Sequence, residues 1–194
     1  MKNILRFSLS PDASRIVWSA DGTPLAGTEG GDFWRIMADD GYYIEMTVHS
    51  ADQHGTVTVD GSRTTVVYDG LVTDFGRKLD VKLTLTITDS GDGYTFDACV
   101  ENRGDARINE LEYPYIDLNR LVGERADDIL YRPAGMGERI KNPWRALGTA
   151  HTEYMSSDYN EIKSTIVYPR PGTMTWLGIQ SDKYFLYMGR HDER

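Results

Sequence analysis

Apolar and polar residues alternate with a period of two along much of this chain. In 81–88, Val81, Leu83, Leu85 and Ile87 fall on one side and Lys82, Thr84, Thr86 and Thr88 on the other. That is the pattern of a strand with one buried and one solvated face. In 94–100, Tyr94, Phe96, Ala98 and Val100 alternate with Thr95, Asp97 and Cys99. The Gly/Asp-rich segment 89–93 between them reads as a hairpin connection. The run 44–48 sets Ile44, Met46 and Val48 on one face, and Val/Thr/Tyr-rich runs at 56–59 and 63–68 flank a turn at 60–62. A further turn is expected at 20–24.

No stretch shows clean 3.6-residue spacing. The most helix-tolerant one, 118–128, carries Gly123. Many short strands parted by Gly/Asp turns predict an all-β, antiparallel sandwich or barrel with little helix. No repeat of fixed period interrupts that reading. The longest irregular segments, 132–147 and 151–161, are the kind of loop that carries function on a rigid sheet or simply crosses between sheets.

A chain of 194 residues is long enough for one sizeable core, burying roughly 70% of its unfolded surface. No linker or composition break divides it, so a single domain over 1–194 is expected. The formal net charge is −9, with no basic cluster. That balance argues against nucleic acid and anionic membrane as partners. The single cysteine, Cys99, cannot form an intrachain disulfide and reads as a small buried thiol. The N-terminus has no apolar signal region, and no run approaches the ~20 residues of a membrane span. A soluble, cytoplasmic protein is the expectation.

Glu110 and Glu112 stand two apart on a predicted strand and share a face, about 7 Å apart. That separation suits a carboxylate pair across a glycosidic bond as well as an ordinary solvated face. Glu138 lies in the Gly-rich loop 135–139 beside Arg139, which could orient it or merely share a surface ion pair. The four histidines, His49, His54, His151 and His191, form no metal-ligand spacing. No metal and no cofactor is expected. Segment 89–93 lacks the ligand ladder of a calcium loop, and 135–139 lacks the features of a phosphate loop.

Aromatic residues carry the best ligand argument. Sugars present apolar C–H faces ringed by hydroxyls and bind where Trp or Tyr lies beside polar groups. Trp34 in 33–35, Tyr113 and Tyr115 in 113–115, and Trp144 in 142–145 have that setting. With Glu138 and Arg139 they form the candidate carbohydrate-binding set. Trp18, Trp176, Phe185 and Tyr187 lie in strands and are expected in the core.

The order of four segments adds to this. Residues 108–116 end in the turn Tyr113-Pro114, and 129–143 hold a loop between Pro133 and Pro143. Residues 166–179 carry Tyr168-Pro169, Met174 and Trp176, and 184–192 form an aromatic strand closing on His191-Asp192. From about 33–36 onward the chain resembles the N-terminal, galactose-mutarotase-like β-supersandwich domain of a group of bacterial glycoside hydrolases. It departs from their commoner form at 168–175, where an Arg-Pro pair precedes the glycine. The resemblance implies two large antiparallel sheets and a carbohydrate-processing parent. In that family the catalytic carboxylates belong to a following (β/α)8 barrel. A truncated, non-catalytic accessory domain is therefore expected, bracing the barrel and lending a loop to its cleft. The rivals are a minimal aldose epimerase, with His151 and Glu153 as acid and base, and a purely structural scaffold.

Overall fold

The computed structural model describes residues 4–25, 31–41, 45–115, 125–133, 136–143, 145 and 176–189. The chain divides into two compact units, Met1–Asn119 and Arg120–Arg194. Both are built of antiparallel strands, so the fold is all-β as the alternation predicts. Two short 3-10 turns, Ser50–Asp52 and Arg125–Asp127, and a helical stretch beginning at Pro143 are the helical pieces among the described residues.

Among its described residues the first unit holds three sheets. Strands β1 (Leu5–Leu9), β2 (Ile16–Ala20) and β3 (Thr23–Pro24) form one, in that order. Strands β4 (Arg35–Asp39) and β5 (Glu45–His49) pair, and β10 (Arg107–Glu112) flanks β4. The largest sheet runs β6 (Thr56–Asp60), β7 (Arg63–Val72), β8 (Lys78–Asp89), β9 (Tyr94–Asn102). The expected turns close its hairpins: Asp60 pairs Arg63, and Asp89 pairs Tyr94. In the β2–β3 hairpin Ala20 pairs Thr23, leaving Asp21 at φ 50 and Gly22 at φ 77. Two positive φ values in a two-residue loop are what an Asp-Gly hairpin turn supplies at least steric cost.

Strand β8 shows how the pattern becomes a core. Val81, Leu83 and Leu85 are completely buried and Ile87 nearly so. The opposite face departs from expectation, because Thr86 is buried and Lys82, Thr84 and Thr88 are half-buried. A central strand flanked by β7 and β9 has its neighbours' side chains around it on both sides. The edge strand β9 differs the other way: Ala98 is exposed, and Cys99 is an exposed thiol rather than a buried one.

The core of this unit is aromatic. Trp18 meets Tyr94 and Phe96 edge-on, at 6.2 and 5.9 Å between centroids, which ties β2 to β9. Tyr113 stands edge-on to Phe96 at 5.7 Å and to Phe33 at 5.4 Å. Trp34 packs against Tyr68 of β7 at 4.9 Å. The hydroxyls find acceptors: Tyr68 donates to the Ala13 carbonyl at 2.6 Å and Tyr113 to the Thr86 carbonyl at 2.9 Å. Burial holds both phenols well above their ordinary pKa, so both remain neutral donors.

The second unit contributes one sheet, ordered β12 (Glu138–Lys141), β11 (Ile129–Arg132), β13 (Trp176–Gln180), β14 (Phe185–Gly189). Past β12, Asn142, Pro143 and Arg145 do not form the plain loop expected. The Asn142 side-chain oxygen accepts from the Arg145 amide at 3.3 Å, and Pro143 opens the helical stretch. Asn as cap and Pro at the first position are favoured helix starts.

Candidate functional site

The register of the second unit's sheet decides what each face carries, because directly paired residues point to the same side. Leu130 pairs with Ile140 and Ile179, and Leu177 pairs with Met188. Leu130 and Ile179 are buried, so this aliphatic face is the inward one. The other face carries Tyr131, Trp176, Phe185 and Tyr187. Gly178 pairs with Tyr131 on one side and Tyr187 on the other, and Gly189 pairs with Trp176.

Two of these rings are exposed. Phe185 is 44% exposed and Tyr187 50%, while Trp176 and Tyr131 are half-buried. This corrects the expectation that Trp176, Phe185 and Tyr187 belong to the core. Trp176 and Tyr187 are stacked, with 6.2 Å between centroids and 26° between planes. Tyr131 and Phe185 meet at 6.1 Å. The rings lie down on the sheet because glycine leaves room. A Cβ on Gly178 would sit 2.6 Å from the Phe185 ring, and one on Gly189 would meet the Tyr187 hydroxyl. A side chain at either position would have to displace the ring above it.

Polar groups border this platform. The Tyr131 hydroxyl donates to Gln180 Oε1 at 2.7 Å, so Gln180 keeps its amide protons for other partners. Arg139 pairs with Tyr131 in register and Lys141 with Ile129, and both cations are exposed on the same side. An exposed aromatic cluster rimmed by polar groups is the signature of an interaction surface, since an apolar ring left in water forgoes about 2 kcal/mol of burial.

A second cluster lies in the first unit. Asp32 Oδ2 accepts from Arg35 Nε and hydrogen-bonds His49 Nδ1, each at 3.0 Å, while Oδ1 accepts from the Ala51 amide at 3.2 Å. Burial alone would push this carboxyl up, but the bonds from His49, Arg35 and Ala51 outweigh it and hold it below the usual carboxylate value. The Arg35 guanidinium lies 4.3 Å over the Tyr115 ring. Ser50 accepts from the Phe33 amide at 2.7 Å and donates to the Ser14 carbonyl at 3.0 Å. Arg35 and His49 are register partners on β4 and β5. Both carboxylate oxygens are thus spent on fixing the chain ahead of β4 against β5 and the turn beyond it. The cluster is a clamp.

Of the described residues in the candidate carbohydrate-binding set, Arg139 alone stands on the platform. Trp34 is completely buried and presents no ring face for stacking. The Tyr113 ring is held between Phe33 and Phe96. Tyr115 is taken by Arg35. Glu138 is paired with Arg132, its register partner across β11 and β12, rather than oriented by Arg139. Glu110 and Glu112 do share a face of β10, opposite Met37 and Arg35. Trp144, His151, Glu153 and His191 lie outside the described residues.

Neither a protein-family model nor a curated protein matches this chain. Site chemistry therefore carries the functional argument. Among the described residues no group of His, Cys, Asp and Glu could hold a metal ion. None of their helices is long and apolar enough to cross a membrane.

Proposed function

We propose that this chain is a non-catalytic, carbohydrate-associated module, of the galactose-mutarotase-like kind that its sequence resembles, and that it works beside the catalytic barrel of a glycoside hydrolase. The observation that supports this reading is the aromatic face of the β12–β11–β13–β14 sheet. Flat rings match the C–H face of a pyranose, and a neighbouring amide and hydroxyl match its hydroxyls. The binding residues in this reading are Tyr131, Trp176, Gln180, Phe185 and Tyr187, with Arg139 kept from the sequence set. The Asp32–His49 pair is occupied in holding strands together, so it is assigned to structure and not to an acid–base role in epimerisation.

Part of one open face gives weak binding, at the millimolar level worth about 4 kcal/mol. The test is isothermal titration of the 194-residue chain with neutral hexasaccharides of glucose, xylose and mannose, repeated with Tyr187→Ala. Saturable binding to at least one, lost in the variant, supports the reading. Binding that Tyr187→Ala leaves unchanged would place the sugar elsewhere.

A further inference from the structure

The aromatic face carries a charge bias opposite to that of the chain. The whole sequence is acidic, at −9. Yet the register places on this face only Ile129 and Tyr131 from β11, Arg139 and Lys141 from β12, alternate residues from Trp176 to Gln180 on β13, and alternate residues from Phe185 to Gly189 on β14. No carboxylate is among them. Arg139 and Lys141 make no ion pair with any described residue, whereas Arg132, on the opposite face, is paired with Glu138. The described strands of this sheet thus keep their one acid on the aliphatic side and place two cations on the aromatic side, at the far edge from Phe185 and Tyr187.

We infer that the ligand of this face is an acidic oligosaccharide, one whose sugar rings stack on Phe185, Tyr187 and Trp176 while an anionic substituent reaches Arg139 and Lys141. This deepens the carbohydrate reading above and rests on it. The four strands span about 14 Å from β12 to β14 at roughly 4.8 Å per step. Cations and flat rings are therefore separated by more than one pyranose, which calls for an oligomer. A guanidinium binds a carboxylate or a sulfate ester through paired, charge-assisted hydrogen bonds, and an ammonium adds a point charge. Rings with cations also suit a single-stranded nucleic acid. The acidic whole disfavours that polymer, whose regular run of phosphates would face long-range repulsion. A short glycan with spaced charges meets the cations locally.

The experiment titrates the full chain with four hexamers: a neutral glucan, the same glucan carrying a single uronic acid, the same glucan carrying a single sulfate ester, and oligo(dT). The acidic glycans should bind about tenfold more tightly than the neutral one, a margin of one charge-assisted contact. The carboxylate and sulfate arms tell the two anion sources apart. In Arg139→Gln/Lys141→Gln the acidic glycans should fall toward the neutral value, and raising the salt should do the same. Circular dichroism of the variant verifies its fold. Equal affinity for neutral and acidic hexamers overturns this inference and leaves the carbohydrate reading standing. Binding of none of the glycans overturns both. Tighter binding of oligo(dT) overturns both in favour of nucleic acid.

Discussion

Two aromatic clusters among the described residues use the same ring types to opposite ends. In the first unit Trp18, Phe33, Tyr94, Phe96 and Tyr113 meet edge-to-face, and the Tyr94 and Tyr113 hydroxyls donate to the backbone carbonyls of Leu5 and Thr86. In the second unit Trp176, Tyr187, Phe185 and Tyr131 lie along a sheet, bedded on two glycines, with Phe185 and Tyr187 about half exposed. Edge-to-face contact between elements closes a core. Rings flattened onto glycines in one sheet cannot reach another layer and leave a surface. Neighbouring elements and glycine placement, more than ring type, decide which of the two a cluster becomes.

Truncation in the first cluster should cost far more than truncation in the second. Trp18→Ala is expected to lower unfolding free energy by about 3–5 kcal/mol, and Leu85→Ala by about 2–5 kcal/mol, read from urea denaturation. A loss under about 1 kcal/mol for Trp18→Ala would show that the aromatic seam does not carry the core.

The clamp comes next. Asp32→Asn should cost about 3 kcal/mol near neutral pH, because it removes the Asp32 carboxylate from the half-buried Arg35 and His49. The sign with pH follows from Asp32 titrating lower when folded than when unfolded. Its contribution is fully present above the unfolded value of about 3.9 and is lost as pH falls through the folded one. The wild type should lose stability faster than Asp32→Asn below about pH 4. Parallel acid-unfolding curves would contradict the clamp. Smaller still, Tyr113→Phe should cost about 1 kcal/mol, the worth of one buried hydrogen bond. The smallest loss belongs to the open face: Phe185→Ala and Tyr187→Ala should each cost about 1 kcal/mol or less.

Much of the fold is legible in the chain, and the site is not, for a physical reason. Period-two spacing marks β8, and the Asp/Gly pairs mark its hairpins, because both are local properties. The same parity also carried unused information: Trp34 shares its side with Ile36 and Ala38, all buried, while Arg35 shares the other with Met37 and Asp39. Trp34 is therefore legible as a core residue, and Arg35 as a residue of the opposite face. In 185–188, however, Phe185 and Tyr187 alternate with Leu186 and Met188. Both sides are apolar, and no pattern can choose between them. What chooses is the pairing of Tyr187 with Gly178 and of Trp176 with Gly189, a register between strands that local sequence does not encode. Asp32 and His49 were unreadable for the same reason: seventeen residues part them in sequence and one hydrogen bond joins them.

The most direct test of the contrast is a two-dimensional nitrogen–proton spectrum of the labelled chain, titrated with an acidic hexasaccharide. Each tryptophan reports through its own indole signal. The Trp176 indole and the backbone amides of β13 and β14 should shift progressively to saturation, while the Trp18 and Trp34 indoles stay in place. Shifts at Trp18 or Trp34 with Trp176 unmoved would contradict the assignment of the open aromatic face as the binding surface.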